Sequence, residues 1–229
     1  DIGSCTGALI RQLTLDDRFR ESDFYGIEAA RVLYNKSITR KQEEGYFAND
    51  NVFFYQRNVI KGPIFPKEAP VNTFISTALT HEIESYQGRE KLKKLISLVY
   101  DQLAVQGRWV NVDVVGPENK KEFVYMKLSK EDGRNIDYKK KFKSKQREEL
   151  KGYLEGLSTY GRFKRFAQDF RHEEGYSVDY ELIKNKTNEK EAYVKLRLKD
   201  ACEFMSKKDY TDNWQSEMHE TFCFWSFSE

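Results

Sequence analysis

Asp1-Ile2-Gly3-Ser4-Cys5-Thr6-Gly7 is a glycine-bearing turn that opens a helical stretch. Glycines at the end of a strand permit a tight turn and close backbone approach to a ligand, with the next helix's amides facing it. Such a turn alone is a weak signal. It gains weight from Glu28, which ends the next apolar run, 28 − 7 = 21 residues beyond Gly7. A carboxylate at that place in a nucleotide-binding unit accepts hydrogen bonds from ribose hydroxyls. The competing reading is a plain turn and an unrelated surface glutamate. A nicotinamide dinucleotide fits less well, because its fingerprint G-x-G-x-x-G is not met by Gly3 and Gly7, spaced G-x-x-x-G.

A second group follows the apolar run at residues 71–78 (VNTFISTA), where Thr80-His81-Glu82 begins the next segment. His81 titrates near working pH and could act as a general base toward a hydroxyl or amine; it could equally cap or pack a helix. Glu82 and Glu84 read as the acidic first turn of that helix. His81, Glu82, Glu84 and His219 could form a metal site only by converging from distant places, and no tight spacing supports one. The expectation is therefore no metal.

The ordered set resembles the class I S-adenosylmethionine-dependent methyltransferase family. Residues 1–7 are similar to its first motif, Asp/Glu-x-Gly-x-Gly-x-Gly, with Cys5 standing where the middle glycine usually does. Gly26-Ile27-Glu28 looks like the second motif, residues 71–83 (VNTFISTALTHEI) the fourth, and Gly107-Arg108-Trp109-Val110 the "GGR" start of the fifth strand. The resemblance covers roughly residues 1–116. It implies S-adenosyl-L-methionine as cofactor, with Asp1, Gly3, Ser4, Cys5 and Gly7 at its methionine part and Glu28 on its ribose. Asn58 would face the adenine amino group, and Ser76 and Thr77 would lie between cofactor and acceptor. Most of a first strand and a helix are expected before Asp1, and a further strand after Glu229.

These residues need a scaffold, and the pattern supplies one. Residues 8–19, a stretch from Ala29 and residues 88–106 read as helices, the last with Leu92, Leu95, Ile96, Val99 and Leu103 at helical spacing. Residues 24–27, 52–55, 71–78 and 108–115 read as strands. Alternation of this kind implies an α/β fold: a Rossmann-like, mostly parallel sheet with helices on both faces. After Gly116-Pro117 the chain becomes charge-dense, and residues 118–215 read as a mixed α+β insertion, or cap, that shapes the acceptor site. Within it, residues 160–170 carry Phe163, Phe166 and Phe170 as an amphipathic helix. Residues 176–182 and 191–198 look extended, joined by a polar turn at 185–188. Residues 221–227 (TFCFWSF), in a closing segment 216–229, read as a late strand returning to the core sheet.

Composition narrows the function. With 39 basic and 37 acidic residues the net charge is +2, which argues against a dedicated polyanion binder and favours a small-molecule or metabolite acceptor. The run Lys139, Lys140, Lys141, Lys143, Lys145 and Arg147 keeps an RNA or tRNA methyltransferase as the alternative. Acidic neighbours on both sides make it read as a solvated helix face. Trp214, Trp225 and Tyr210 could line a substrate pocket or fill a core. Three cysteines, Cys5, Cys202 and Cys223, without a CxxC pair point to a reducing cytoplasm. No apolar stretch is long enough to cross a membrane. A binding protein or dehydrogenase of Rossmann type, without methyl transfer, is the third reading.

Overall fold

Ile2 stands between two parallel strand pairs. The structure, a computed structural model, describes residues 1–43, 45–66, 69–134, 138–143, 146–183 and 189–229. Its contacts divide the chain into two units, Asp1–Asp113 and Val114–Glu229. In the first, β1 (Phe24–Glu28) pairs in parallel with β2 (Val52–Gln56), and β3 (Val71–Thr77) with β4 (Leu103–Val112). Ile2 bridges in parallel to Ile27 on one side and to Ser76 on the other. The Ile2 amide donates to the Ile75 carbonyl (2.8 Å), and the Ile27 amide to the Asp1 carbonyl (2.9 Å). One parallel sheet results, ordered β2-β1-Ile2-β3-β4.

Helices α1 (Ala8–Thr14) and α2 (Arg31–Gln42) make the crossovers on the β1 side. Ile10 of α1 buries with Val52 and Phe54 of β2, while Tyr34 and Ile38 of α2 pack against that cluster. On the other side, α3 (Thr80–Gln87) and α4 (Arg89–Gln102) follow β3. They part at Gly88, whose φ of 83° ends one helix and starts the next. The helix expected over residues 88–106 ends at Gln102, because Leu103 (φ −74°, ψ 137°) is already extended and opens the bulged strand β4. Val71 pairs with Leu103 but Thr73 with Arg108, so residues 104–107 bulge out of the ladder.

The second unit has its own core. Its sheet is antiparallel, ordered β5-β7-β6, from β5 (Phe123–Ser129), β6 (Tyr180–Ile183) and β7 (Glu191–Arg197). Leu128, Ala192, Val194 and Leu196 from one face of it bury with residues of α5 (Arg147–Gly156), α6 (Thr159–Asp169) and α7 (Leu198–Lys207). Phe163, Phe166 and Phe170 join that core as their spacing predicts, and the Ser158 hydroxyl caps α6 at the Gly161 amide (3.1 Å). The boundary thus falls after Asp113 rather than after Pro117, and the unit runs on through residues 216–229.

Two expectations in this half are corrected. Residues 221–227 form no strand beyond one bridge, Gly116–Ser226. The Phe222 and Cys223 amides donate instead to the Glu203 carboxylate (3.1 and 2.8 Å), which takes the place of a neighbouring strand. The basic run is not a helix face either: residues 138–143 lack regular structure and the helix begins only at Arg147. Lys145 and the turn at 185–188 lie outside the described residues.

Candidate functional site

Every chemistry-bearing residue of the first unit stands at or beyond a strand's carboxyl end. Residues 3–7 follow Ile2, Glu28 ends β1, Asn58 lies past β2, residues 78–81 follow β3, and Asp113 follows β4. In an open α/β sheet, ligands bind outside those ends where the strand order reverses. Here the reversal falls at Ile2: the chain fills β1 and β2 to one side, then crosses back to β3.

The turn itself is held tightly. The Gly3 and Ser4 amides both donate to the Ile27 carbonyl (2.9 and 3.1 Å). Gly3 has a φ of 73°, and a Cβ there would lie 3.1 Å from Leu79 Cδ1, so the loop touches the start of α3. At Gly26 a Cβ would fall 2.4 Å from Phe54 Cδ1 and 3.0 Å from Ser4 Oγ. Only glycine lets β1, the Phe54 ring and the loop meet this closely.

Glu28, 8% exposed, accepts the Cys5 amide at Oε2 (2.9 Å) and the Ala30 amide at Oε1 (2.7 Å). It is the acid that ties the glycine turn to the end of β1. A carboxylate oxygen has two lone pairs, so each oxygen retains acceptor capacity beyond its backbone partner. The Ser37 hydroxyl donates to the Cys5 carbonyl (3.0 Å) and anchors the same residue from α2. Ser4 is buried, and its hydroxyl has no hydrogen-bond partner among the described residues. A buried hydroxyl left without a partner costs roughly 1–3 kcal/mol, which a ligand atom or water here would recover.

Cys5 takes the left-handed conformation (φ 52°) that its middle-glycine place demands. A Cβ there costs about 1–2 kcal/mol, partly offset by the larger entropy that glycine loses on folding. Cys5→Gly is therefore expected to raise stability by roughly 0.5–1 kcal/mol. A fall in the thermal midpoint would show instead that the thiol contributes packing.

Opposite the turn lies a polar ladder that the sequence reading missed. Trp109, Asn111 and Asp113 alternate along β4 and its end, and so share one side. Trp109 Nε1 donates to Ser76 Oγ (2.9 Å), Ser76 Oγ to Asn111 Oδ1 (2.6 Å), and Asn111 Nδ2 to Thr80 Oγ1 (3.2 Å). Asp113 Oδ2 then accepts the Thr80 amide and hydroxyl (2.7 and 2.6 Å) and the His81 amide (3.1 Å). Its Oδ1 lies 2.6 Å from His81 Nδ1. Asp113 thus caps α3 and fixes the imidazole with one carboxylate. Where that carboxylate is ionised it only accepts, and the His81 ring donates to it from Nδ1. The period-two spacing of Asn111 and Asp113 in RWVNVDVV was the available signal.

The remaining expected residues fall as follows. Asp1 is half-buried and its carbonyl serves the sheet. Gly7 (φ 80°) sits at the start of α1. Thr77 is exposed at the end of β3, whereas Ser76 is fully buried, with its hydroxyl engaged in the ladder. Asn58 is exposed, and its Oδ1 accepts the Ile60 amide (3.0 Å). In the second unit, His219 Nδ1 lies 2.8 Å from Glu174 Oε1. Trp214 is a core residue, its Nε1 donating to Asp169 Oδ2 (2.8 Å). Among the described residues no group of three or more His, Cys, Asp and Glu side chains is placed to hold a metal ion. No helix among them is long and apolar enough to cross a membrane.

No protein-family model matches the chain, and no curated protein matches it. Several solved structures are similar to it over most of its length. The methyltransferase domain of bacterial CtHen1 shares 12% identity, with 86% of this chain and 88% of that one covered and a TM-score of 0.36. Glycopeptide N-methyltransferase MtfA, complexed with S-adenosyl-L-methionine, shares 10% identity over 85% of this chain and 83% of that one, with a TM-score of 0.42. Monomeric WbdD shares 15% over 86% of this chain, with a TM-score of 0.35, and the match spans 35% of its length.

Proposed function

We propose that the chain is an S-adenosylmethionine-dependent methyltransferase whose first unit binds the cofactor across residues 3–7, with the ribose on Glu28. The observation that supports this most is the glycine turn at the reversal of a parallel sheet, joined through the Cys5 amide to the acid ending the next strand. Glu28 offers both oxygens to a vicinal diol while the turn keeps it oriented. The unpartnered Ser4 hydroxyl marks a place for a polar ligand atom. Asp1, Gly3, Cys5, Gly7, Asn58 and Thr77 complete the proposed contacts. The cofactor, when bound, supplies an electrophilic methyl carbon. The protein's own share is positioning and exclusion of water, with His81 receiving the acceptor's proton at Nε2 while Asp113 holds its ring.

Calorimetric titration with S-adenosylhomocysteine and, separately, with NAD tests this reading. The first should bind and the second should not. Glu28→Gln should weaken the first by about tenfold or more, because each hydrogen bond to a charged group is worth roughly 1.5–3 kcal/mol. Unchanged affinity in that variant would remove the ribose assignment.

For the acceptor, balanced charge favours a small molecule or metabolite. An RNA acceptor draws less support from the run ending at Arg147 than the sequence suggested. Arg147 Nε donates to the Asp212 carbonyl (2.6 Å), and its guanidinium also holds Asn213. What favours RNA is a different surface, on the second unit's sheet. The three free thiols fit the cytoplasm as the proposed location.

A further inference from the structure

The sheet of the second unit buries one face and leaves the other in solvent. On the open face, residues of β5 and β7 meet in register as Phe123 with Arg197, Tyr125 with Lys195, and Lys127 with Tyr193. Each of these three successive cross-strand pairs joins one aromatic ring to one cation. Phe123 and Tyr125 are 55% and 67% exposed, so both rings are open to a partner from solvent. Lys195 Nζ lies 5.2 Å from the Phe123 ring centroid, so charge and ring present one combined surface. Successive pairs stand two residues apart, roughly 6.8 Å along the strands.

We propose that this face of β5 and β7 is a docking surface for single-stranded nucleic acid. Bases have flat π-faces that stack on exposed aromatic rings whatever their sequence, while cations beside the rings meet the phosphates. A duplex hides its bases and could use only the charges. Charge complementarity selects this occupant over an apolar partner, since every ring is flanked by Lys or Arg. The acids of the sheet limit the patch: Glu191 pairs with Lys127 (2.6 Å), and Glu181 on β6 stands in register with Lys195. The strand therefore runs along β5 and β7 rather than across β6. Nothing in this surface requires methyl transfer, so its test is independent of the cofactor assignment.

The test is fluorescence anisotropy of a labelled oligouridylate with the full chain, at several salt concentrations. The oligonucleotide should bind, more tightly than a duplex RNA of equal length. Phe123→Ala and Tyr125→Ala should each weaken it about tenfold, within the range known for base–aromatic stacking. Lys195→Gln should lower the magnitude of the logarithmic salt slope by roughly 0.7. All three side chains are on the solvent face, so thermal midpoints close to wild type are expected and certify the fold. Absence of binding at low salt would overturn the proposal. So would binding that the three variants leave unchanged, or equal affinity for the duplex. An acidic peptide that binds this face in place of the oligonucleotide would overturn it in favour of a protein partner.

Discussion

His81→Ala is expected to slow methyl transfer by about 10²–10⁴-fold per folded molecule, with affinity for S-adenosylhomocysteine nearly unchanged. The expectation follows from one carboxylate doing two things. Asp113 Oδ2 fixes the backbone of Thr80 and His81, and its Oδ1 fixes the ring. The imidazole is thereby held against the Asp113 carboxylate at the start of α3. The pH–rate profile should lose its ascending limb. A packing histidine would give the opposite pattern, a lower thermal midpoint with a normal rate per folded molecule. A stable, full-rate variant would leave positioning as the whole mechanism, with the acceptor's proton passing to water.

Lys207→Met is expected to destabilise the second unit by about 3–5 kcal/mol, although it removes a charge from an apolar core. Lys207 and Glu203 are both fully buried, with Nζ 3.3 Å from Oε2. Nζ also lies 3.3 Å from the Phe222 ring centroid. Burial pushes the lysine below its ordinary pKa, opposed by Glu203, Glu217 and Glu220. Taking away the ammonium leaves a buried carboxylate that still holds the Phe222 and Cys223 amides. Glu203→Gln in the same background removes that charge but keeps an acceptor, and should recover much of the loss. Equilibrium unfolding of the single and double variants decides the matter. A single variant as stable as wild type would show that the pair contributes nothing.

The parallel half of the fold was legible in the sequence because its signals were local. Apolar runs at Phe24 and Val71, each followed by a helical stretch, suffice to imply crossovers. Glu28 at the end of β1 and the glycine turn it ties down were legible for the same reason. What the sequence hid was hidden by charge in unusual places. Helix α7 keeps Asp200, Glu203 and Lys207 buried beside Ala201 and Phe204, so its apolar periodicity is broken on the inward side. Residues 221–227 looked like a strand because their composition is that of one. Their amides nevertheless find a side-chain carboxylate, which no local pattern announces. Asp113 escaped notice because its partners, Thr80 and His81, are more than thirty positions away in the chain.

The bulge at residues 104–107 and the ladder beyond it have a joint consequence for how the first unit matures. The bulge shifts the pairing of β4 on β3, and a slip of one further position would turn every side chain of β4 to the opposite face. In that misaligned state Trp109 would lose Ser76, Asn111 would lose Thr80, and Asp113 would lose His81 together. The polar rungs therefore act as a proofreader of alignment. A molecule with the wrong alignment forfeits the α3 cap and the oriented imidazole at once. Pairing in register therefore completes the sheet and seats the Asp113 carboxylate on α3 together.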